Sequence, residues 1–325
     1  MAETSNIAQM AVKVSTEIFE VLGWNRVGPY DQNWTCVTES HDVATHPTDV
    51  VFAYDDPYRN ERILWNVDLK SYAANTINKS KLSGAIVSLV KTVQCAATSK
   101  GWSDLYGDDE SNWRCDGMLF VYNHDGEFDR NFGQLLASVE NSHLKLQRGR
   151  RLAILGPADI SYLVNVTSDI IHLRGREVIP IAKDSTEFWY PDLVRPKHRA
   201  QPTSAATIEM VTGPWVTLQI HPQSNGEKRR FLVYYREDGS TVEEFVYLID
   251  SFFRFQMLSV DREAAIDVRL VSPCKEAITN FAKAKSRIAS TLYGLTGKRL
   301  EAVRCETIQT VVRRFGEIEI GMEER

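Results

Sequence analysis

The chain has 325 residues and a net charge of −5, and 43% of its residues are hydrophobic while 25% are charged. This composition is typical of a soluble globular protein, and the length predicts two domains. No run of 18 apolar residues occurs and the first residues lack a cationic, apolar leader, so we expect neither a membrane span nor a signal peptide. The net charge does not decide the partner, because local clusters of cations can still bind nucleic acid.

The spacing of cysteine and histidine argues against several classes of site. The five cysteines are odd in number, lie far apart and form no CxxC pair: Cys36, Cys95, Cys115, Cys274 and Cys305. This pattern argues against a disulfide framework or a zinc site and predicts a reducing, cytoplasmic location. None of the seven histidines falls in an HExxH or similar ligand spacing, so we do not expect a zinc hydrolase.

The first predicted element is a helix over residues 5–22 that ends at Gly23. A helical stripe of apolar side chains supports it: Ile7, Met10, Ala11, Val14, Ile18 and Leu22. Glu17 lies within this stripe, whereas Glu20 lies at its flank. A carboxylate on a buried face needs a partner, which a metal ion would provide. For Glu17, a metal ligand and a surface glutamate fit the pattern equally well, and for Glu20 the surface position is favoured.

Strand-like runs follow the helix at residues 34–38, 50–54 and 63–67. Asp49 opens the second of these runs, and Asp68 and Lys70 close the third. Successive side chains of a strand alternate between its two faces, so Asp68 and Lys70 should point the same way. If the last two runs form an antiparallel hairpin, Asp49 meets Asp68 and Lys70 at one end of a sheet. Two carboxylates and an ammonium group would then form a metal site with a fixed cation.

This arrangement resembles the PD-(D/E)xK nuclease superfamily, which includes restriction endonucleases, recombination exonucleases and many phage-defence nucleases. The motif reads Pro47-Thr48-Asp49, then 18 residues, then Asp68-Leu69-Lys70, so Thr48 is inserted into the usual Pro-Asp pair. An Asp-x-Lys triplet alone is common, and the hydrophobic strand before it and the acid that opens the preceding strand strengthen it. The resemblance covers residues 5–122 and extends toward residue 195.

The resemblance implies a Mg²⁺-dependent nuclease, in which Mn²⁺ can substitute, that hydrolyses the phosphodiester bonds of nucleic acid, with DNA favoured over RNA. It implies that Asp49, Asp68 and the first-helix acid Glu17 bind the metal. Lys70 would orient or deprotonate the attacking water, or stabilise the transition state. His46 either contacts substrate or orders the turn. The alternative is a catalytically silent nuclease fold that acts as a scaffold or binding subunit.

Helices and strands continue to alternate up to residue 182. They are predicted as helix 79–100, strand 117–122, helix 128–139, strand 151–155, helix 158–173 and strand 178–182. The helix before strand 117–122 makes a crossover, so this part of the sheet should be parallel or mixed. We therefore interpret residues 1–195 as an α/β nuclease domain with a restriction-endonuclease-like mixed sheet flanked by helices.

Residues 196–206 contain two prolines and small polar residues and are interpreted as a linker. The pattern then restarts with strands 207–220, 229–236, 266–271 and 300–305 and with helices 241–260 and 274–293. Residues 207–325 are therefore expected to form a second, α+β domain. No helix–turn–helix or zinc-finger signature is found there, so we interpret it as an interaction domain that also guides nucleic acid.

Two groups of basic side chains are candidate contacts for phosphate groups. The first group is Lys145, Arg148, Arg150 and Arg151, and the second is Lys283, Lys285 and Arg287. A solvated helix face explains the second group equally well. Many relatives in the resembled superfamily work in host-defence assemblies. By analogy, we expect a bacterial anti-phage role with a second copy or a second protein subunit as partner.

Overall fold

The structure of the chain is a computed structural model. It describes residues 2–107, 112–139, 146–191, 204–224, 227–258, 264–291 and 299–311, with side chains from residue 9 onward. These residues form two compact units, which divide between Val164 and Asn165. Among the described helices, none combines the length and hydrophobicity that crossing a bilayer requires.

The first unit is built on a five-stranded mixed sheet. Its helices are α1 (Ala2–Val21), α2 (Lys79–Ala96), α3 (Lys100–Tyr106), α4 (Phe132–Ala137) and α5 (Pro157–Gly175), the last of which crosses the division between the units. Its strands are β1 (Asn25–Val27), β2 (Gln32–Thr35), β3 (Thr45–Thr48), β4 (Val50–Asp55), β5 (Arg62–Tyr72), β6 (Trp113–Asn123) and β7 (Leu152–Leu155). The large sheet has the order β1-β4-β5-β6-β7, and β2 pairs with β3 in a separate hairpin.

The direction of the strands follows from their connections. The short turn between β4 and β5 makes them antiparallel, whereas the crossover through α2 makes β5 and β6 parallel. Strand β7 is parallel to β6, and β1 is antiparallel to β4. This mixed sheet with flanking helices confirms the predicted restriction-endonuclease-like α/β class.

Local sequence signals set the limits of the helices next to the sheet. Gly23, with φ of +82°, ends α1, because glycine enters the left-handed region without strain. The side chain of Asn78 accepts a hydrogen bond from the backbone N–H of Lys81 and so caps α2. The predicted apolar face of α2 is buried, and it lies so close to β6 that a Cβ at Gly117 would stand 2.6 Å from Cγ2 of Val93.

The second unit has its own five-stranded mixed sheet, which confirms the predicted second α+β fold. Its strands are β8 (Thr186–Phe188), β9 (Trp215–Ile220), β10 (Arg229–Tyr235), β11 (Ala264–Leu270) and β12 (Val303–Thr307), in the order β12-β11-β10-β9-β8. Its further helices are α6 (Ile208–Val211), α7 (Val242–Arg254) and α8 (Ala277–Thr291). Helix α7 begins with a capping box formed by Thr241 and Glu244, and α7 and α8 cover one apolar face of the sheet.

Predicted and observed elements differ most at three places. The predicted strand 178–182 is wrong: this segment consists of turns before a 3₁₀ helix at Lys183–Ser185, and Pro180 has no backbone N–H to donate to a sheet. The predicted strand 207–220 begins only at Trp215, because α6 and the Gly213-Pro214 pair precede it. The predicted helix 79–100 ends at Ala96, and a separate helix, α3, capped by Ser99, begins at Lys100.

The division of the chain into compact units lies earlier than the expected domain boundary at residue 195. Strand β8 lies before that boundary but pairs with β9 of the second sheet, which places it in the second unit. Most of the predicted linker, residues 196–203, lies outside the described residues. The limits of an independently folding nuclease domain therefore stay a prediction.

Candidate active site

The register of the β4–β5 hairpin brings the predicted acids together. Val50 pairs with Val67, so Asp49, directly before β4, lies beside the end of β5 where Asp68 follows. The backbone N–H of Leu69 donates a hydrogen bond of 2.7 Å to Oδ2 of Asp49. This bond fixes the position of the Asp49 carboxylate relative to the Asp-x-Lys triplet.

Asp68 and Lys70 face the same side of β5, as the two-residue period predicts. Nζ of Lys70 donates a hydrogen bond to Oδ1 of Asp68. Both side chains are partly buried, with side-chain exposures of 30% for Lys70 and 16% for Asp68. The hydrogen bond to Asp68 thus holds the ammonium group of Lys70 close to β5.

These side chains line a cavity of about 340 Å³ between the hairpin and α2. The strand side is formed by Pro47, Asp49, Asp68, Lys70 and Tyr72. The helix side is formed by Ser80, Lys81, Gly84, Ala85 and Ser88. The cavity therefore has an acidic wall on the sheet and a small, polar wall on the helix.

Asp49 is electrostatically strained in this position. Burial, followed by the charge of Asp68, raises the pKa of Asp49 from 3.8 to about 6. The hydrogen bond from Leu69 and the charge of Lys70 oppose this rise only in part. The Asp49 carboxyl group, whose ionisation is disfavoured by burial and by the neighbouring Asp68, is suited to bind a cation.

For Lys70, the effects of the nearby charges on the pKa outweigh the effect of burial. Burial alone would lower its pKa, but the charges of Asp68 and Asp49, the hydrogen bond to Asp68 and the effect of Tyr72 together raise it above the usual value. The side chain of Lys70 therefore stays protonated at neutral pH. Burial is also the main cause that raises the pKa of Tyr72.

A buried polar network holds the segment that leads to Asp49. Nε1–H of Trp34 donates to Oγ1 of Thr48 over 2.9 Å, and Oγ1 of Thr48 donates to Oδ1 of Asn66 over 2.7 Å. Nε1–H of Trp102 donates to the same oxygen of Asn66 over 3.2 Å. Thr48, the residue inserted into the usual Pro-Asp pair, thus links β3 to the middle of β5.

The predicted first-helix acid is not part of the observed cavity lining. Helix α1 packs against β5, but Glu17 is not among the described residues that line the cavity, and Glu20 is exposed. The metal-ligand role of Glu17 therefore stays a prediction. His46 is only 2% exposed and its ring lies against Trp34, so it does not face this cavity either.

The first group of predicted basic residues has contacts within the sheet. Nε of Arg151 donates to the fully buried Asp116 over 2.8 Å, and Arg150 donates to the backbone oxygen of Cys115 over 3.1 Å. These contacts connect the start of β7 to β6. Arg148 is exposed, and Lys145 lies outside the described residues.

The second group lies on α8 of the second unit. Nζ of Lys285 donates to the backbone oxygen of Val303 over 2.7 Å, and Arg287 forms an exposed ion pair with Glu243 at 3.2 Å. Lys283 is exposed. Lys285 therefore has a structural contact, and a nucleic-acid role for this group stays a prediction.

Sequence reasoning missed part of the cavity lining. Tyr72 lies two residues beyond Lys70, so the strand period that joined Asp68 to Lys70 could have included it. Ser80, Lys81 and Ser88 could not be assigned in this way, because only the crossover places the start of α2 beside the hairpin.

The comparisons with known proteins concern the same part of the chain. Residues 1–159 match the family model described as the PD-(D/E)XK nuclease domain of the GAPS4 protein. No curated protein and no solved structure matches the chain significantly. The matched segment contains Asp49, Asp68, Lys70 and every residue that lines the cavity.

The raised pKa of Asp49 predicts a pH-dependent cost to stability. The folded chain binds this proton more tightly than the unfolded chain, so stability falls as pH rises from about 4 to about 6 and stays reduced above that range. In EDTA, Asp49→Asn should raise the free energy of unfolding by about 1–3 kcal/mol at pH 8 and by less at pH 5. Urea denaturation at both pH values measures the two differences.

The exposed Asp129 provides the control for this measurement. Asp129→Asn should leave the difference between pH 5 and pH 8 unchanged. A loss of stability for Asp49→Asn at pH 8, or an equal gain at both pH values, would show that ionisation of Asp49 is not costly.

Proposed function

From the match of residues 1–159 to the PD-(D/E)XK nuclease domain model, we propose that the chain is a divalent-metal-dependent nuclease that hydrolyses phosphodiester bonds in DNA. The observation that carries the proposal is the convergence of Asp49, Asp68 and Lys70 on one cavity within the matched segment. The family accounts for a nuclease as such, whereas the metal, the substrate and the biological role are our proposal.

The residues of the cavity fit a hard divalent cation. Carboxylate oxygens such as those of Asp49 and Asp68 are the ligands that Mg²⁺ prefers and Mn²⁺ accepts. Burial and then repulsion from Asp68 raise the pKa of Asp49, and a cation between the two carboxylates would relieve this repulsion. When bound, the ion would supply Lewis acidity and neutralise charge at the phosphate. We propose Mg²⁺ as the physiological ion and Glu17 as a further acid from α1.

Lys70 acts in this proposal as a fixed cation. Its raised pKa keeps Nζ protonated, which disfavours a role as the base that takes a proton from water. Its hydrogen bond to Asp68 holds the ammonium group at the cavity wall. There it can orient the attacking water and stabilise the negative charge that develops on the phosphate.

The helix side of the cavity is suited to a phosphate group. Ser80 and Lys81 lie in the first turn of α2, the end of the helix that carries a partial positive charge. The ammonium group of Lys81 adds a full charge on the same wall. We propose that this wall binds the phosphodiester backbone, while the opposite wall holds the metal and Lys70.

The choice of substrate and setting rests on the family. We favour DNA over RNA, because restriction endonucleases and recombination exonucleases of this superfamily act on DNA. By the same analogy we propose a role in bacterial anti-phage defence. The five cysteines are all unpaired, which fits a reducing compartment, and we propose the cytoplasm.

The second unit is proposed to bind a partner. Several large apolar side chains on its surface are exposed to solvent: Val178, Ile181, Tyr247, Phe255 and Ile278. Tyr247 on α7 is 63% exposed. Aromatic side chains of this kind are enriched in protein interfaces, so a second copy of the chain or a second subunit is the proposed partner.

The first prediction from this proposal concerns the catalytic side chains. Asp68→Asn and Lys70→Ala should each lower the cleavage rate at least about a hundredfold, because each removes charge that the transition state requires. Lys70→Arg, which keeps the charge, should retain more activity than Lys70→Ala. The assay uses linear, circular and single-stranded DNA and RNA, with Mg²⁺, with Mn²⁺ and with EDTA.

Circular dichroism of each variant checks that the fold is retained. Undiminished metal-dependent cleavage by both Asp68→Asn and Lys70→Ala would remove these residues from the mechanism. If the wild-type chain cleaves none of the substrates, alone or with a co-purified partner, the alternative of a catalytically silent scaffold is supported instead.

The second prediction concerns the helix wall of the cavity. Lys81→Ala should weaken DNA binding about fivefold, since an ammonium group facing the phosphate is lost. Lys79→Ala is the matched control, because Lys79 lies two residues earlier and does not line the cavity. Fluorescence anisotropy at two salt concentrations measures both variants. Equal effects of the two substitutions would contradict a specific role for Lys81.

The third prediction concerns assembly. Light scattering of the full chain should give a mass that is a multiple of 36.9 kDa, or a complex with a co-purified subunit. Tyr247→Asp should reduce this mass, whereas Lys183→Asp, on another exposed part of the unit, should not. A monomer at all concentrations, without a bound subunit, would contradict the interaction role.

A further inference from the structure

Four potential metal ligands meet outside the candidate active site. Cys36 follows β2, His41 ends a 3₁₀ turn, His46 lies in β3 and Cys95 lies near the end of α2. Their ligand atoms all lie within 4.8 Å of one another. Three of the four are buried, with exposures of 5% for His41, 2% for His46 and 0% for Cys95, and Cys36 is partly buried.

Three of the distances between ligand atoms in this cluster are close to the edges of a tetrahedron around one ion. Sγ of Cys36 lies 3.6 Å from Sγ of Cys95 and 3.6 Å from Nδ1 of His41. Nδ1 of His41 lies 3.2 Å from Nε2 of His46. Zinc bonds of about 2.3 Å to sulfur and about 2.0–2.1 Å to nitrogen give tetrahedral edges of about 3.8 Å and about 3.4 Å.

The outer hydrogen bonds fix the tautomers of both histidines. Nε2 of His41 lies 3.2 Å from Oε1 of Gln94, which only accepts, so Nε2 carries the proton. Nδ1 of His46 lies 3.4 Å from Oγ1 of Thr92, whose own proton is donated to the backbone oxygen of Ser88. Nδ1 of His46 therefore donates.

Each histidine consequently turns a nitrogen lone pair toward the other. Two lone pairs 3.2 Å apart repel unless a cation lies between them. The two cysteine sulfurs complete the set, and the backbone N–H of Val37 donates to Sγ of Cys95 over 3.2 Å, which holds this sulfur in place. Outer partners of this kind are characteristic of ligating histidines and cysteines.

We propose that Cys36, His41, His46 and Cys95 bind one structural Zn²⁺. Two sulfur and two nitrogen donors in a tetrahedron are the ligand set of structural zinc, and four protein ligands leave no position open for a substrate. An open pocket of about 450 Å³ borders Cys36 and gives the ion a way in. The cysteine and histidine spacing argued against a zinc site. The proposal departs from that prediction, because residue spacing does not show that the β2–β3 hairpin and α2 bring these four side chains together.

The ion would join two elements that form the candidate active site. It fastens the β2–β3 hairpin to α2, and His46 lies three residues before Asp49. Helix α2 provides one wall of the catalytic cavity, and the hairpin leads into the other. Nζ of Lys91 on α2 also donates to the backbone oxygen of His41 over 2.8 Å, which supports the same junction.

The test is the metal content of the full chain, purified under reducing conditions. Mass spectrometry of the metal should find about one zinc per chain. Cys36→Ser and Cys95→Ser should reduce this content severalfold, whereas Cys274→Ser, a partly buried cysteine of the second unit, should not. Asp68→Asn should also retain zinc, which separates this site from the proposed catalytic metal.

Cobalt substitution of the wild-type chain tests the ligands without any variant. Co²⁺ in this site should give the visible bands of tetrahedral coordination and a near-ultraviolet sulfur-to-metal charge-transfer band. A zinc chelator should lower the melting temperature of the wild-type chain and leave that of Cys36→Ser unchanged.

Three results would overturn the proposal. One is a reduced chain that neither carries zinc nor takes up added Zn²⁺. Another is a Co²⁺ spectrum without the sulfur band. The third is a Cys36–Cys95 disulfide in freshly purified protein, detected by thiol alkylation and mass. None of these results depends on nuclease activity, so the zinc site can fail while the proposed function stands, and the reverse.

Discussion

The candidate active site depends on the hydrogen bond that holds two repelling carboxylates at one end of a hairpin. Leu69 donates its backbone N–H to Asp49 over 2.7 Å, and this bond exists only in the observed register of β4 and β5. A slip of one residue would turn Asp68 and Lys70 to the opposite face of the sheet. The buried Trp34–Thr48–Asn66 network opposes such a slip, because its hydrogen bonds would be left unsatisfied in the interior.

The first unit combines two chemically different sets of donors around one helix. The start of α2 faces the carboxylates of Asp49 and Asp68. Near its other end, α2 carries Cys95, whose sulfur lies close to the sulfur and nitrogen atoms of the β2–β3 hairpin. Hard oxygen ligands and soft sulfur ligands select different ions. The proposed magnesium and zinc sites would therefore not compete for metal, although both depend on the packing of α2 against the same β2–β4 segment.

Local sequence patterns predicted those features of the structure that depend on residues close together in the sequence. The two-residue period placed Asp68 and Lys70 on one face, and the apolar stripe of α2 identified its buried side. The sequence did not reveal Lys81 in the cavity or Cys95 beside His41, because tertiary packing brings these residues together across long stretches of chain. The apolar residues Val178 and Ile179 suggested a strand at 178–182. The prediction failed because Pro180 has no backbone N–H to pair in a sheet. The same limit applies to Glu17. An apolar stripe predicts which face of a helix is buried, but it does not predict which residues pack against that face.

The parallel pairing of β5 with β6 has a consequence for how this protein is made. Asp68 pairs with Leu119 and Lys70 with Val121, so the strand that carries the motif gains its inner neighbour only after α2 and α3 have left the ribosome. Closing so long a loop lowers the conformational entropy of the chain before any contact between the strands offsets that loss. Parallel strands that are distant in sequence therefore pair slowly. Asp68 and Lys70 are therefore translated before the strand that pairs with this part of β5. A truncated chain that ends before β6 would contain the β4–β5 hairpin but would leave that edge of β5 unpaired.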